Sequence, residues 1–156
     1  MSNQQASDLS DLLAESHAAT QKLLETIDLD LQIYTDPVWR ARDVIWHIAV
    51  WDRQVTRSIE AYQFGGKYSI PDFDEHEFNA AALKEGRELS IEQVMKGSNQ
   101  ARQEFHRVVE RFSPDKLDAE LLYPWGDESG DIIQLVNYMV DHDEEHRQEI
   151  IAAANQ

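Results

Sequence analysis

Four stretches of the chain repeat apolar residues at three- and four-residue steps, and little interrupts them. Gly and Pro number only six and four in 156 residues. Alternation at the period of a strand is hard to find, so helical spacing dominates. The first stretch runs from about Asp8 to Asp28, with Leu9, Leu12, Leu13, Thr20, Leu23, Leu24 and Ile27 on one stripe. The second runs from about Ala41 to Phe64, with Val44, Ile48, Trp51, Val55, Ile59 and Tyr62 inward. Gly65-Gly66 ends it, since glycine accepts the left-handed cap conformation. The third runs from about Ile91 to Phe112 behind a Ser90/Gln93 capping box, with Val94, Ala101, Phe105, Val108 and Phe112 inward. The fourth runs from about Ile132 to Ala153, with Leu135, Val136, Met139 and Ile150 inward. Four amphipathic helices of this length predict an all-α four-helix bundle in a single domain over residues 1–156.

Two connections are long. Residues 67–89 hold a short helix around Glu77 to Arg87, and residues 113–131 contain the turn-rich run PWGDESGD. A short helical turn is expected after Ser113-Pro114. Long connections allow crossovers, so the order of helices around the bundle is open at this stage.

Charge narrows the function. Thirty acidic against fourteen basic residues give a formal net charge of −16. Such a surface repels phosphate backbones and anionic lipid heads, so neither nucleic acid nor membrane is expected as a partner. The absence of cysteine excludes disulfides, thiolate ligands and a Cys nucleophile. The start, MSNQQASDLS, has neither the basic start nor the apolar run of a signal peptide, which sets the expectation of a cytoplasmic protein.

Three histidines stand on inward faces. His142 and His146 are four apart on the fourth helix, so both imidazoles share one face about one turn apart, ~6 Å along the axis. They continue the stripe of Leu135, Met139 and Ile150. His47 lies between Val44 and Trp51 on the second helix. Three imidazoles entering a core from two helices can form a three-nitrogen metal site for a divalent ion such as zinc or nickel. Such a site keeps a position open for water or substrate. The alternative is three hydrogen-bonded core histidines with no metal. His47 lies early in its helix and the pair near the middle of theirs, so the helices must be staggered or tilted to align them.

Other residues near the pair each admit a functional and a plainer role. Asp143 and Tyr138 are the candidate catalytic residues: Asp143 as a base or as an orienter of an imidazole, Tyr138 as a hydroxyl donor to a ligand. Their plainer roles are an edge charge and a rim hydroxyl. Trp51, one turn after His47, would wall a substrate pocket. Glu144 and Glu145 read as surface charge. His17 is expected to be an edge histidine, His106 solvated, and His76 part of an acidic helix start. Arg42 and Arg53 are expected in surface ion pairs. Together with Arg40 they make no strong basic cluster.

The segments VIWHIAVWD and DHDEEHRQEI resemble the two signature segments of the DinB/YfiT-like proteins, and the resemblance spans essentially the whole chain. It implies a four-helix bundle, often dimeric, with one metal-ligating His on the second helix and a His-x-x-x-His pair on the fourth. Carried over, the ligands are His47, His142 and His146. The family's members include thiol S-transferases using bacillithiol, mycothiol or glutathione, a thiol-dependent maleylpyruvate isomerase, and metal-dependent hydrolases. A neighbouring branch protects cells from a reactive genotoxin without an obvious metal, and its PW-rich segment has a loose echo in Tyr123-Pro124-Trp125-Gly126. The resemblance therefore implies a metal-dependent transferase or hydrolase acting on small electrophiles, a low-molecular-weight thiol as possible co-substrate, and a homodimer. A non-catalytic or metal-free protective bundle is the alternative.

Overall fold

The computed structural model describes residues 2–156, with side chains described at residue 5 and from residue 7 onward. Helix α1 spans Ser2–Leu24, α2 Ala41–Gln63, α3 Glu75–Arg87, α4 Ile91–Glu110 and α5 Ile132–Ala154. The four long helices and the short one lie where the periodicity puts them, and the expected turn after Ser113 is a single 3-10 turn at Pro114–Lys116. No helix among the described residues is long and apolar enough to cross a membrane.

The helix ends follow local chemistry. Helix α1 stops before the expected Asp28 because side chains divert the backbone. Thr26 Oγ1 donates to the Leu23 carbonyl, and Asp28 Oδ1 accepts from the Asp30 amide. Helix α2 ends as Gly65 takes φ +82° and the Gly66 amide bonds back to Ala61 at 2.8 Å. The Ser90/Gln93 capping box of α4 is fully formed, and Asp131 caps α5 through the Gln134 amide.

Helix α1 packs against α4 and α5, α2 packs against the same two, and α3 lies on α2. Helices α1 and α2 are therefore one diagonal of the bundle, and α4 and α5 the other. The core between them contains Leu13, Val55, Ile59, Phe105, Phe112, Leu135 and Val136, each about 1% exposed or less. Packing α2 beside α5 is what places residues of those two helices face to face.

Two antiparallel hairpins depart from the all-helical expectation. Strand β1 (Gln32–Thr35) pairs with β2 (Val38–Arg40), setting Tyr34 opposite Trp39. Strand β3 (Leu121–Leu122) pairs with β4 (Ser129–Gly130). The Ile70 amide bonds to the Pro124 carbonyl at 2.8 Å, tying the two long connections together.

Candidate metal centre

His47 reaches in from α2, and His142 and His146 from α5. His47 Nε2 lies 3.1 Å from His142 Nε2, which lies 3.0 Å from His146 Nε2. One nitrogen from each ring falls within 4.8 Å of the other two. His47 and His146 are buried, at 7% and 8% exposure. The three residues singled out from spacing are thus brought together at one point.

This arrangement is poorly satisfied by hydrogen bonds alone. An imidazole nitrogen offers one in-plane bond, as donor or as acceptor. His142 Nε2 faces two nitrogens, so one contact leaves two polar atoms opposed. Nδ1 of His47 and Nδ1 of His142 are buried with no hydrogen-bond partner. Burial, then the charges of the other two rings, pushes the His47 pKa down to about 2. Burial, then His146, takes His142 down to about 4. His146 is also lowered by burial, against the pull of Glu149 and Glu145. At neutral pH the rings are uncharged and carry lone pairs, the form in which imidazole binds a metal. The donor set therefore fits a divalent cation.

His146 has the support the other two lack. Its Nδ1 lies 3.3 Å from the Tyr34 hydroxyl and 3.6 Å from Glu149 Oε1. Tyr34 in turn donates to Glu149 Oε2. With its hydrogen committed to the carboxylate, the Tyr34 oxygen accepts from Nδ1–H, which leaves the Nε2 lone pair facing the other rings. Burial, then Glu149, raises the Tyr34 pKa and keeps the hydroxyl protonated.

The histidines form one end of a cavity of about 510 Å³. Trp39, Trp51, Phe73 and Trp125 wall it, and Glu75, Asn79 and Glu145 add polar groups. Trp51 does line the cavity, and its Nε1 donates to Asn79 Oδ1 at 3.0 Å. Tyr138 also lines it, but sits at the rim, 39% exposed, donating to Glu128 and accepting from Gln134. Glu145 is exposed, as expected of a surface charge, and it also reaches the cavity wall.

Asp143 is a correction. It is 1% exposed, not an edge charge, and is absent from the cavity lining. Both its oxygens are held by Arg102, and Ser16 donates to it at 2.7 Å. Arg102 simultaneously grips Asp52 through Nε and Nη2. So placed, Asp143 is not available as a base in the cavity. It anchors the backbone beside His142 to α4 and α1.

The remaining histidines lie apart. His17 bonds to Asn99, His106 pairs with Glu110 at 3.4 Å, and His76 is exposed. Arg42 and Arg53 are not in ion pairs among the described residues: Arg42 donates to the Leu89 carbonyl, and Arg53 lies 5.0 Å over the Trp46 ring. Sequence reasoning missed Tyr34, Trp39 and Glu149. The first two had a signal in QIYTDPVWR, where aromatic and β-branched residues flank an Asp-Pro turn.

Comparison with known proteins agrees with this architecture. A crystal structure of a histidine-to-alanine mutant of mycothiol-dependent maleylpyruvate isomerase superposes with a TM-score of 0.75 at 11% identity. The match covers 92% of this chain and 60% of that one, so this chain spans less than two thirds of the neighbour's length. No curated protein matches the sequence. The model of the DinB superfamily matches residues 12–150, and the chain belongs to that superfamily.

Proposed function

We propose that this protein is a metal-dependent enzyme that uses a divalent ion, zinc or nickel, held by His47, His142 and His146. The reaction is transfer of a low-molecular-weight thiol to a small electrophile, or hydrolysis of that electrophile. The observation that carries this reading is the convergence of three neutral imidazoles on one point at the end of an aromatic cavity. Bound there, a divalent ion supplies Lewis acidity, lowering the pKa of water or thiol toward neutrality. The chain's own contributions are separable. Tyr34 and Glu149 fix the tautomer of His146, Trp51 and Trp125 exclude water, and the Arg102 network holds the α5 backbone beside His142 in place.

Metal analysis of protein purified without a histidine tag tests the proposal. One divalent ion per chain, lost in His142→Ala, supports it. A wild type without stoichiometric metal, together with a His142→Ala variant unchanged in metal content and stability, overturns it.

A second reading, a bundle that binds an electrophile without turning it over, is favoured by the engagement of Asp143 with Arg102. Consumption of one equivalent followed by silence at saturating metal identifies it. The family resemblance further suggests a homodimer, which sedimentation at a mass near 18.0 kDa would exclude.

A further inference from the structure

The cavity also carries information about what enters it. Its wall is a chain of aromatic rings. Trp51 meets Phe73 edge-on at 5.7 Å and lies 6.4 Å from Trp125, which lies 6.0 Å from Tyr138. On the other side Tyr34 lies 5.6 Å from Trp39, whose ring meets His47 at 5.2 Å. Two carboxylates, Glu75 and Glu145, join this wall and are solvent-exposed, so they stand toward the mouth while His47 and His146 are buried. Neither carboxylate has an ion-pair or hydrogen-bond partner among the described side chains. Among the described residues, no Lys or Arg lines the cavity. Arg102 and Arg147 are committed elsewhere, to Asp52 and Asp143 and to Glu144 and Ser16.

We propose that this cavity selects a flat apolar molecule whose outer end is cationic, and rejects molecules whose outer end is a carboxylate. Ring faces attract an organic cation through their quadrupoles, and the two carboxylates reinforce that attraction. An anion entering past Glu75 and Glu145 meets like charge and finds no guanidinium or ammonium to offset it. The inference deepens the proposed function, resting on this cavity as the reaction site. It sets the substrate class as aromatic electrophiles bearing an amine or quaternary ammonium.

Benzyltrimethylammonium, benzyl alcohol and phenylacetate test it, since they share a benzyl group and differ in charge. Binding is followed by tryptophan fluorescence on chelator-treated and on metal-loaded protein. The chelator-treated form excludes ligation of phenylacetate by a metal, and its result stands whether or not the native protein holds an ion. The ammonium should bind about tenfold more tightly than the alcohol, and phenylacetate more weakly than either. The double variant Glu75→Gln, Glu145→Gln should shrink the ammonium's preference over the alcohol without abolishing it, since the rings remain, and Trp125→Ala should weaken both. Any of four results overturns the proposal: no saturable binding of the ammonium, phenylacetate binding as tightly as the ammonium to the chelator-treated protein, an unchanged preference in the double variant, or no effect of Trp125→Ala.

Discussion

Arg102 holds Asp143 through two hydrogen bonds, Nη1 to Oδ2 at 2.7 Å and Nη2 to Oδ1 at 2.9 Å. The same guanidinium bonds both oxygens of Asp52, so one cation on α4 joins α2 to α5 beside the histidines. Replacing it with Leu leaves two buried carboxylates without a counter-charge. Arg102→Leu should lose about 3–5 kcal/mol of stability in urea unfolding. Arg102→Lys should recover little of this, because a single ammonium cannot reproduce the fork.

The histidine cluster makes the metal-free protein acid-sensitive. The folded-state pKa values of His47 and His142, about 2 and about 4, lie below the ordinary 6.5. The unfolded chain therefore binds protons first. The stability tied to neutral rings is present above pH 6.5 and is lost as pH falls below it, at up to ~1.4 kcal/mol per pH unit for each ring. Asp52 acts in the opposite sense. Burial raises its pKa to about 6 against the opposing pull of Arg102, so its contribution is full below pH 3.8 and lost as pH rises through 6. The clean readout is a difference: chelator-treated His47→Gln should show a shallower loss of stability between pH 6.5 and 4 than chelator-treated wild type.

Tyr34 is a positioning residue for His146. Tyr34→Phe removes the hydroxyl between Nδ1 and Glu149 while keeping the ring against Trp39. Competition with a chelator should show metal affinity falling about 10–100-fold. Stability of the metal-free protein should change by no more than about 1.5 kcal/mol, the worth of one hydrogen bond. An unchanged affinity would leave Tyr34 as a packing residue only.

Trp46 packs against two glycines from different helices. A Cβ on Gly97 of α4 would lie 2.7 Å from its Cζ3, and one on Gly86 of α3 would lie 2.5 Å from its Cδ1. Ala favours a helix over Gly by roughly 1 kcal/mol. Gly97→Ala should nonetheless lower the melting temperature, because overpacking costs about 1–3 kcal/mol.

What the sequence revealed was whatever repeats along a helix. The stripe of α5 placed His142 and His146 inward, and that of α2 did the same for His47, because periodicity reports which face is buried. It does not report how far one helix slides along another, so the alignment of His47 with the pair was not legible. Glu145 was legible but overlooked: Tyr138, His142, Glu145 and Glu149 recur at four, three and four residues. Asp143 was misread because a carboxylate beside a buried stripe looks like an edge charge until its partner is known. That partner, Arg102, lies 41 residues away and was itself hidden among exposed charges of α4. Tyr34 and Trp39 escaped because three- and four-residue strands are too short for alternation to stand out.

His47 is 95 residues from His142, and Tyr34 is 112 from His146. The imidazole cluster is therefore a property of the finished tertiary arrangement, and any isolated stretch of chain offers at most a neighbouring pair. A cation captured there would register that α2 and α5 had docked, so ion uptake reports tertiary assembly rather than the formation of any one helix.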